Sequence, residues 1–101
     1  MFEIRFLIPQ AANDGVSFLP SHHAQFEAVV AERFGGFTKY GRISGGWIDA
    51  GRVFTDDHAV YAVAVTSIVE GAKVAELVTF IKTHYGQLAV YLTYLGQAEI
   101  I

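Results

Sequence analysis

Val60-Tyr61-Ala62-Val63-Ala64-Val65 and Leu88-Ala89-Val90-Tyr91-Leu92-Thr93-Tyr94-Leu95, with the segment between them, decide the fold of this chain. Both ends carry apolar side chains at consecutive positions with almost no polar alternation, which is the pattern of strands covered on both faces. Between them Val74, Leu77, Val78, Ile81 and Tyr85 recur at helical spacing, Phe80 and His84 broaden the stripe, and Gly86 closes it. A strand, a helix and a strand therefore follow one another. One face of their sheet needs a helix layer, and the other needs a partner.

Working outward, Phe2, Ile4, Phe6 and Ile8 alternate with Glu3, Arg5 and Leu7, a half-buried strand stopped by Pro9. Gln10 to Leu19 is a loop with Asn13-Asp14-Gly15 as its turn. Pro20-Ser21-His22-His23 opens a helix, proline fitting the first turn and serine available to cap it. Phe26, Val29, Val30, Arg33 and Phe34 keep helical spacing, Glu27 and Glu32 fall on the wet side, and Gly35-Gly36 ends the helix. A strand resumes from Phe37 to Ile48 with a bulge or bend expected at Gly41 and at Gly45-Gly46. Asp49-Ala50-Gly51 turns it into the strand Arg52 to Val65, making a hairpin. Thr66 or Ser67 begins the approach to the second helix, and Gln97 to Ile101 is a short tail after Gly96.

The order is strand, helix, strand, strand, helix, strand. It predicts a single α+β domain over 1–101 of the ferredoxin-like βαββαβ type, a four-stranded antiparallel sheet with two helices on one face. The bare face is the expected subunit interface, with Tyr91 or Tyr94 in it, because those two positions point to opposite sides of the last strand.

Composition narrows the partners. The 101 residues are 52% hydrophobic and 17% charged, with a mean hydropathy of +0.35. So apolar a small domain favours a homo-oligomer, a dimer through the sheet face being the simplest form. Seven basic residues are scattered among ten acids, for a net charge of −3, so nucleic acid is not an expected partner. No run of about 18 apolar residues forms a membrane span, and Glu3 and Arg5 interrupt any secretion leader, so a cytoplasmic location is expected. With no cysteine, thiol catalysis, disulfides and thiolate metal sites are absent.

Residues that carry chemistry gather on the central hairpin: Tyr40, Arg42, Ser44 and Trp47 on one strand, and Asp56, Asp57, His58 and Tyr61 on the other. An aromatic wall, a cation and a carboxylate–histidine pair would orient a small polar ligand. The same residues also suit a polar hairpin reaching beyond the core, with Arg42 in an ion pair and Trp47 as an interface anchor. His22-His23 is not a metal pair, since adjacent helical positions diverge by about 100°; two exposed first-turn histidines are expected instead. His84, near the end of its helix, suits packing or capping. No cofactor or metal is implied.

Several segments taken together resemble a group of small, uncharacterised bacterial α+β proteins. They are Asn13-Asp14-Gly15, Arg33-Phe34-Gly35-Gly36-Phe37-Thr38, Gly46-Trp47, Gly51-Arg52-Val53, Tyr61-Ala62-Val63, Tyr85-Gly86-Gln87, Val90-Tyr91 and Ala98-Glu99. The resemblance spans most of the chain and implies the same fold, but it carries over no activity and no site residue. Two functions therefore stand. One is a non-catalytic homo-oligomer binding a small molecule or a protein partner. The other is a cofactor-free enzyme resembling the dimeric α/β-barrel monooxygenases and isomerases, with His58 as base, Arg42 as anion clamp, and Trp47 and Tyr61 beside them. A PII-like sensor using Gly45 to Gly51 as a ligand loop ranks below both, because that loop is short.

Overall fold

In the computed structural model, residues 1–65, 71–94 and 97–101 are described, with the side chains of 97–100 left aside. The first strand, β1 (Phe2–Pro9), alternates as its sequence requires: Ile4, Phe6 and Ile8 are buried while Glu3 and Arg5 are exposed. Helix α1 (Pro20–Phe34) begins with proline in its first turn and ends at Gly35, whose φ of 79° lets its N–H reach the Ala31 carbonyl. Leu19 occupies the N-cap and no side chain caps it, so Ser21 does not take the capping role. The hairpin follows as β2 (Thr38–Asp49) and β3 (Arg52–Val65). Its two-residue turn has φ of 51° at Ala50 and 77° at Gly51, the positive angles that match a tight turn to the twist of its strands.

Helix α2 (Gly71–Tyr85) buries Leu77, Val78, Ile81 and Tyr85, the stripe its periodicity predicts. The start expected at Thr66 or Ser67 lies outside the described residues. The final strand starts later than its apolar run: β4 (Tyr91–Tyr94) leaves Leu88 94% exposed, while the expected end at Leu95 and break at Gly96 lie outside the described residues. The expected tail instead forms β5 (Gln97–Ile100), antiparallel to β4. The βαββαβ order thus holds and gains one short strand, giving a five-stranded antiparallel sheet in the order β2-β3-β1-β4-β5. That addition makes β4 an inner strand and not the edge.

Both helices lie on one face. Phe26 and Val30 of α1 and the α2 stripe join Ile4, Phe6, Ile8, Tyr61, Val63, Val65 and Leu92 in one buried cluster, and Arg33 pairs with Glu76 to link the helices. Register tells the last two tyrosines apart. Tyr94 lies opposite Ile4 and packs on the core, whereas Thr93 lies opposite Arg5, so Tyr91 faces away from the helices. No helix among the described residues is long and apolar enough to cross a membrane.

Phe26 is fully buried between sheet and helices. Truncating it to alanine is expected to cost about 3–5 kcal/mol in urea unfolding. Ala50 holds a left-handed conformation without the tolerance of glycine or asparagine, so Ala50→Asn is expected to stabilise the protein by about 1 kcal/mol.

Candidate functional site

A cleft opens where the β1–α1 loop, α1 and β2 meet. Gln10, Ser17, Phe18, Pro20, His23, Glu27, Lys39 and Arg42 line a volume of about 440 Å³, within the range of small-molecule sites. Its loop wall is tied down locally. The Val16 N–H donates to Asp14 Oδ1 at 3.0 Å, Ala12 N–H reaches the Val16 carbonyl at 2.8 Å, and Phe18 N–H reaches the Gln10 carbonyl at 3.0 Å. These bonds hold Phe18 against the helices, stacked on His22 with ring centroids 4.8 Å apart and edge-on to Tyr85 at 5.0 Å.

The floor comes from α1. His23 and Glu27 are four apart and so share one flank of the helix. His23 Nδ1 and the Tyr85 hydroxyl share a hydrogen bond of 2.8 Å. Burial is the main cause that lowers the His23 pKa, with Lys39 adding to it and Glu27 opposing. Glu27 accepts a hydrogen bond of 3.1 Å from the Tyr61 hydroxyl. Burial, reinforced by that carboxylate, pushes the Tyr61 hydroxyl well above the ordinary tyrosine range, so it stays neutral and donates. Lys39 Nζ stands 5.4 Å from the centroid of the same Tyr61 ring.

His22 is half-buried, not exposed. Its Nε2–H donates to the His84 carbonyl at 2.6 Å, and the His84 Nε2–H donates to the His22 carbonyl at 2.8 Å. The two rings stack at 3.7 Å. His84 therefore packs, as its position implies, and the adjacent histidines clamp α1 to the end of α2. Among the described residues no group of three or more His, Asp or Glu stands together as metal donors.

The hairpin residues singled out from sequence divide between two faces. Cross-strand partners lie on the same side of a sheet, so Arg42, opposite the core residue Ala59, points to the helix side together with Tyr61. His58 lies opposite Ile43 and Pro9, on the other side, along with Asp56 and Trp47. There Trp47 stacks on Phe54 at 4.6 Å and its Nε1–H donates to Asp56 at 2.9 Å. Tyr40 is also on that side, its hydroxyl donating to Glu3 at 2.7 Å under the Arg5 guanidinium. The structure brings Arg42 to the cleft, buries Tyr61 beneath it with its hydroxyl on Glu27, and leaves Tyr40, Trp47, Asp56 and His58 away from it. Within one chain, His58 and Arg42 do not meet on one ligand.

Sequence reasoning passed over Phe18, His23, Glu27 and Lys39. The one available sign was the His23–Glu27 spacing. Both flank the Phe26–Val30 stripe at positions that the helical spacing assigns to water, whereas the structure half-buries them.

No protein-family model matches the chain, and none of the curated proteins matches it in sequence. Solved structures are similar in fold. A phage SAM lyase in complex with S-methyl-5′-thioadenosine is 13% identical, with a TM-score of 0.70 over 99% of this chain and 88% of that one. A phage SAM lyase in the apo state is 12% identical at a TM-score of 0.65, over 99% and 87%. The divalent cation tolerance protein CutA1 from Thermus thermophilus is 12% identical at 0.63, over 97% and 84%. At such identities the likeness is one of fold.

His23 supplies a pH prediction. Its folded pKa lies below the ordinary imidazole value of 6.5, so on acidification the unfolded chain takes up that proton first. The stability from the neutral ring is complete above about pH 6.5 and is lost as pH falls below it. Melting temperatures at about pH 7.5 and about pH 5.5 should differ less in His23→Gln than in the unsubstituted protein. Equal differences would show that His23 is not responsible.

Proposed function

We propose that this protein is a homo-oligomer that binds a small molecule in the cleft between Phe18, His23, Glu27, Lys39 and Arg42, its subunits meeting through the sheet face away from the helices. The observation that carries the binding function is convergence: an aromatic ring, a carboxylate with its tyrosine donor, an imidazole and two cations line one concavity. Only Phe18 and Pro20 in this lining are apolar, so recognition there rests on directional polar groups that fix a ligand's orientation. An adenine nucleoside thioether is the first candidate ligand, because the fold is shared with a phage lyase that holds S-methyl-5′-thioadenosine. Phe18 would lie against the base, and Glu27 would accept from ribose hydroxyls.

Surface area supports association. A folded monomer of 11.1 kDa is expected to expose about 5,650 Å², whereas this chain exposes 6439 Å². The excess of roughly 800 Å² equals one partner's share of a standard interface. Its source is visible in the hairpin: β1 pairs with β3 only from His58 onward, so the strands continue beyond it as a two-stranded arm. Such an arm is marginal alone in water. On the side away from the helices it carries Trp47 (48% exposed) and Ile43 (44%).

Size-exclusion chromatography with light scattering should therefore give a mass of at least twice 11.1 kDa, and the pair Trp47→Lys with Tyr91→Lys should reduce it to a monomer. A monomer in the unsubstituted protein would sink the assembly claim. For the ligand, S-methyl-5′-thioadenosine should raise the melting temperature, and Phe18→Ala with Glu27→Gln should remove at least about tenfold in affinity by calorimetry. Absence of any binding at millimolar ligand would refute the nucleoside assignment.

A further inference from the structure

Regular pairing alternates side chains across a strand, so Lys39 and Arg42, three residues apart, would ordinarily point to opposite faces. Here they do not. Lys39 lies opposite Tyr61 and Gly41 opposite Val60, which leaves Tyr40 as an extra residue in β2. The insertion resets the alternation, and Arg42 falls opposite Ala59, on the same core face as Tyr61. Gly41 carries the irregularity at a φ of 116°, an angle that L side chains resist. Bulges of this kind re-aim side chains beside binding sites. This one sends two cations to the cleft and Tyr40 to the opposite face.

Neither cation is strongly engaged by the partner found for it. Arg42 Nη2 reaches Asp57 Oδ2 at 3.4 Å with the two side chains 61% and 64% exposed, a contact of little weight in water. Lys39 Nζ lies 5.4 Å from the Tyr61 ring centroid, and none of the ion pairs among the described residues includes it. A guanidinium presents paired N–H donors that match a carboxylate or phosphate, and an ammonium beside it adds a mobile point charge. Glu27, across the same cleft, repels an anion and so restricts it to the β2 side.

We propose that the bulge at Tyr40–Gly41 builds an anion subsite in the cleft, where Arg42 and Lys39 take the carboxylate or phosphate end of the ligand while its neutral body lies against Phe18. This rests on the ligand-binding function proposed above and adds to the nucleoside thioether an anionic group that S-methyl-5′-thioadenosine itself lacks. Asp57 is then the internal competitor that the anion displaces from Arg42.

The experiment is a pair of backbone-amide NMR titrations of the full chain at fixed ionic strength, one with inorganic phosphate and one with acetate. Saturable shifts confined to residues around Lys39, Arg42 and Asp57 are expected with at least one of the two, and the one that binds identifies the anion. Lys39→Gln with Arg42→Gln should weaken that binding at least about fivefold, and Asp57→Asn should strengthen it. No saturable shift with either anion, or equal binding in the Lys39→Gln, Arg42→Gln protein, overturns the subsite. S-methyl-5′-thioadenosine, which carries no anion, is titrated separately. Its failure to shift Phe18 and His23 would sink the nucleoside assignment and leave the anion result standing, whereas binding of it alone would sink the subsite and leave the nucleoside assignment standing.

Discussion

The contact on which the rest depends is the three-ring junction of Phe6, Phe26 and Tyr61. Phe6 stacks on Tyr61 with centroids 6.1 Å apart, and Phe26 meets Phe6 and Tyr61 edge-on at 6.0 and 5.4 Å. One ring comes from β1, one from α1 and one from β3, so the junction fixes the helix against the two central strands. Aromatic side chains bury large areas and prefer these offset and edge-to-face arrangements, so the junction constrains both position and orientation. The floor of the cleft follows from it. The flank of α1 next to Phe26 carries His23 and Glu27, and the Tyr61 hydroxyl emerges from the core where Glu27 accepts its proton in a hydrogen bond.

Around that junction the two sides of the sheet have different tasks. The helix side is closed by apolar packing and by the reciprocal bonds of His22 and His84. The opposite side is partly covered by the chain itself, since Arg5 lies over Tyr40 and Tyr40 bonds to Glu3, leaving Ala62 only 2% exposed. Among the described residues, what remains uncovered is the arm of the β2–β3 hairpin and Tyr91, 40% exposed. The bulge at Tyr40–Gly41 joins the two sides: one residue in excess sends Tyr40 to the outer face and Arg42 to the inner one.

Much of the architecture was legible in the residues. Pro20 and Gly35 bracket α1 because each has a backbone preference that suits only one end of a helix. The α2 stripe, the hairpin turn at Ala50-Gly51 and the irregularity at Gly41 were equally readable, since each depends on local spacing or local dihedral freedom. A continuous apolar run does not mark where its strand begins, so Leu88 to Val90 read as strand yet precede β4, and a four-residue segment such as β5 has no periodicity of its own to reveal it.

The site was far less legible. Grouping Arg42, His58, Trp47 and Tyr61 as one cluster followed from their closeness along two paired strands, but the pleat sends neighbours to opposite faces and one inserted residue changes which ones agree. By itself, then, the sequence determined the order of elements, the helix faces and the turn, because these are set by interactions between residues near one another in the chain. Only the tertiary structure decided which side chains share the cleft, because that depends on the β2–β3 register, reset by the Tyr40–Gly41 bulge, and on how α1 sits on the sheet, which packing at the Phe6–Phe26–Tyr61 junction holds.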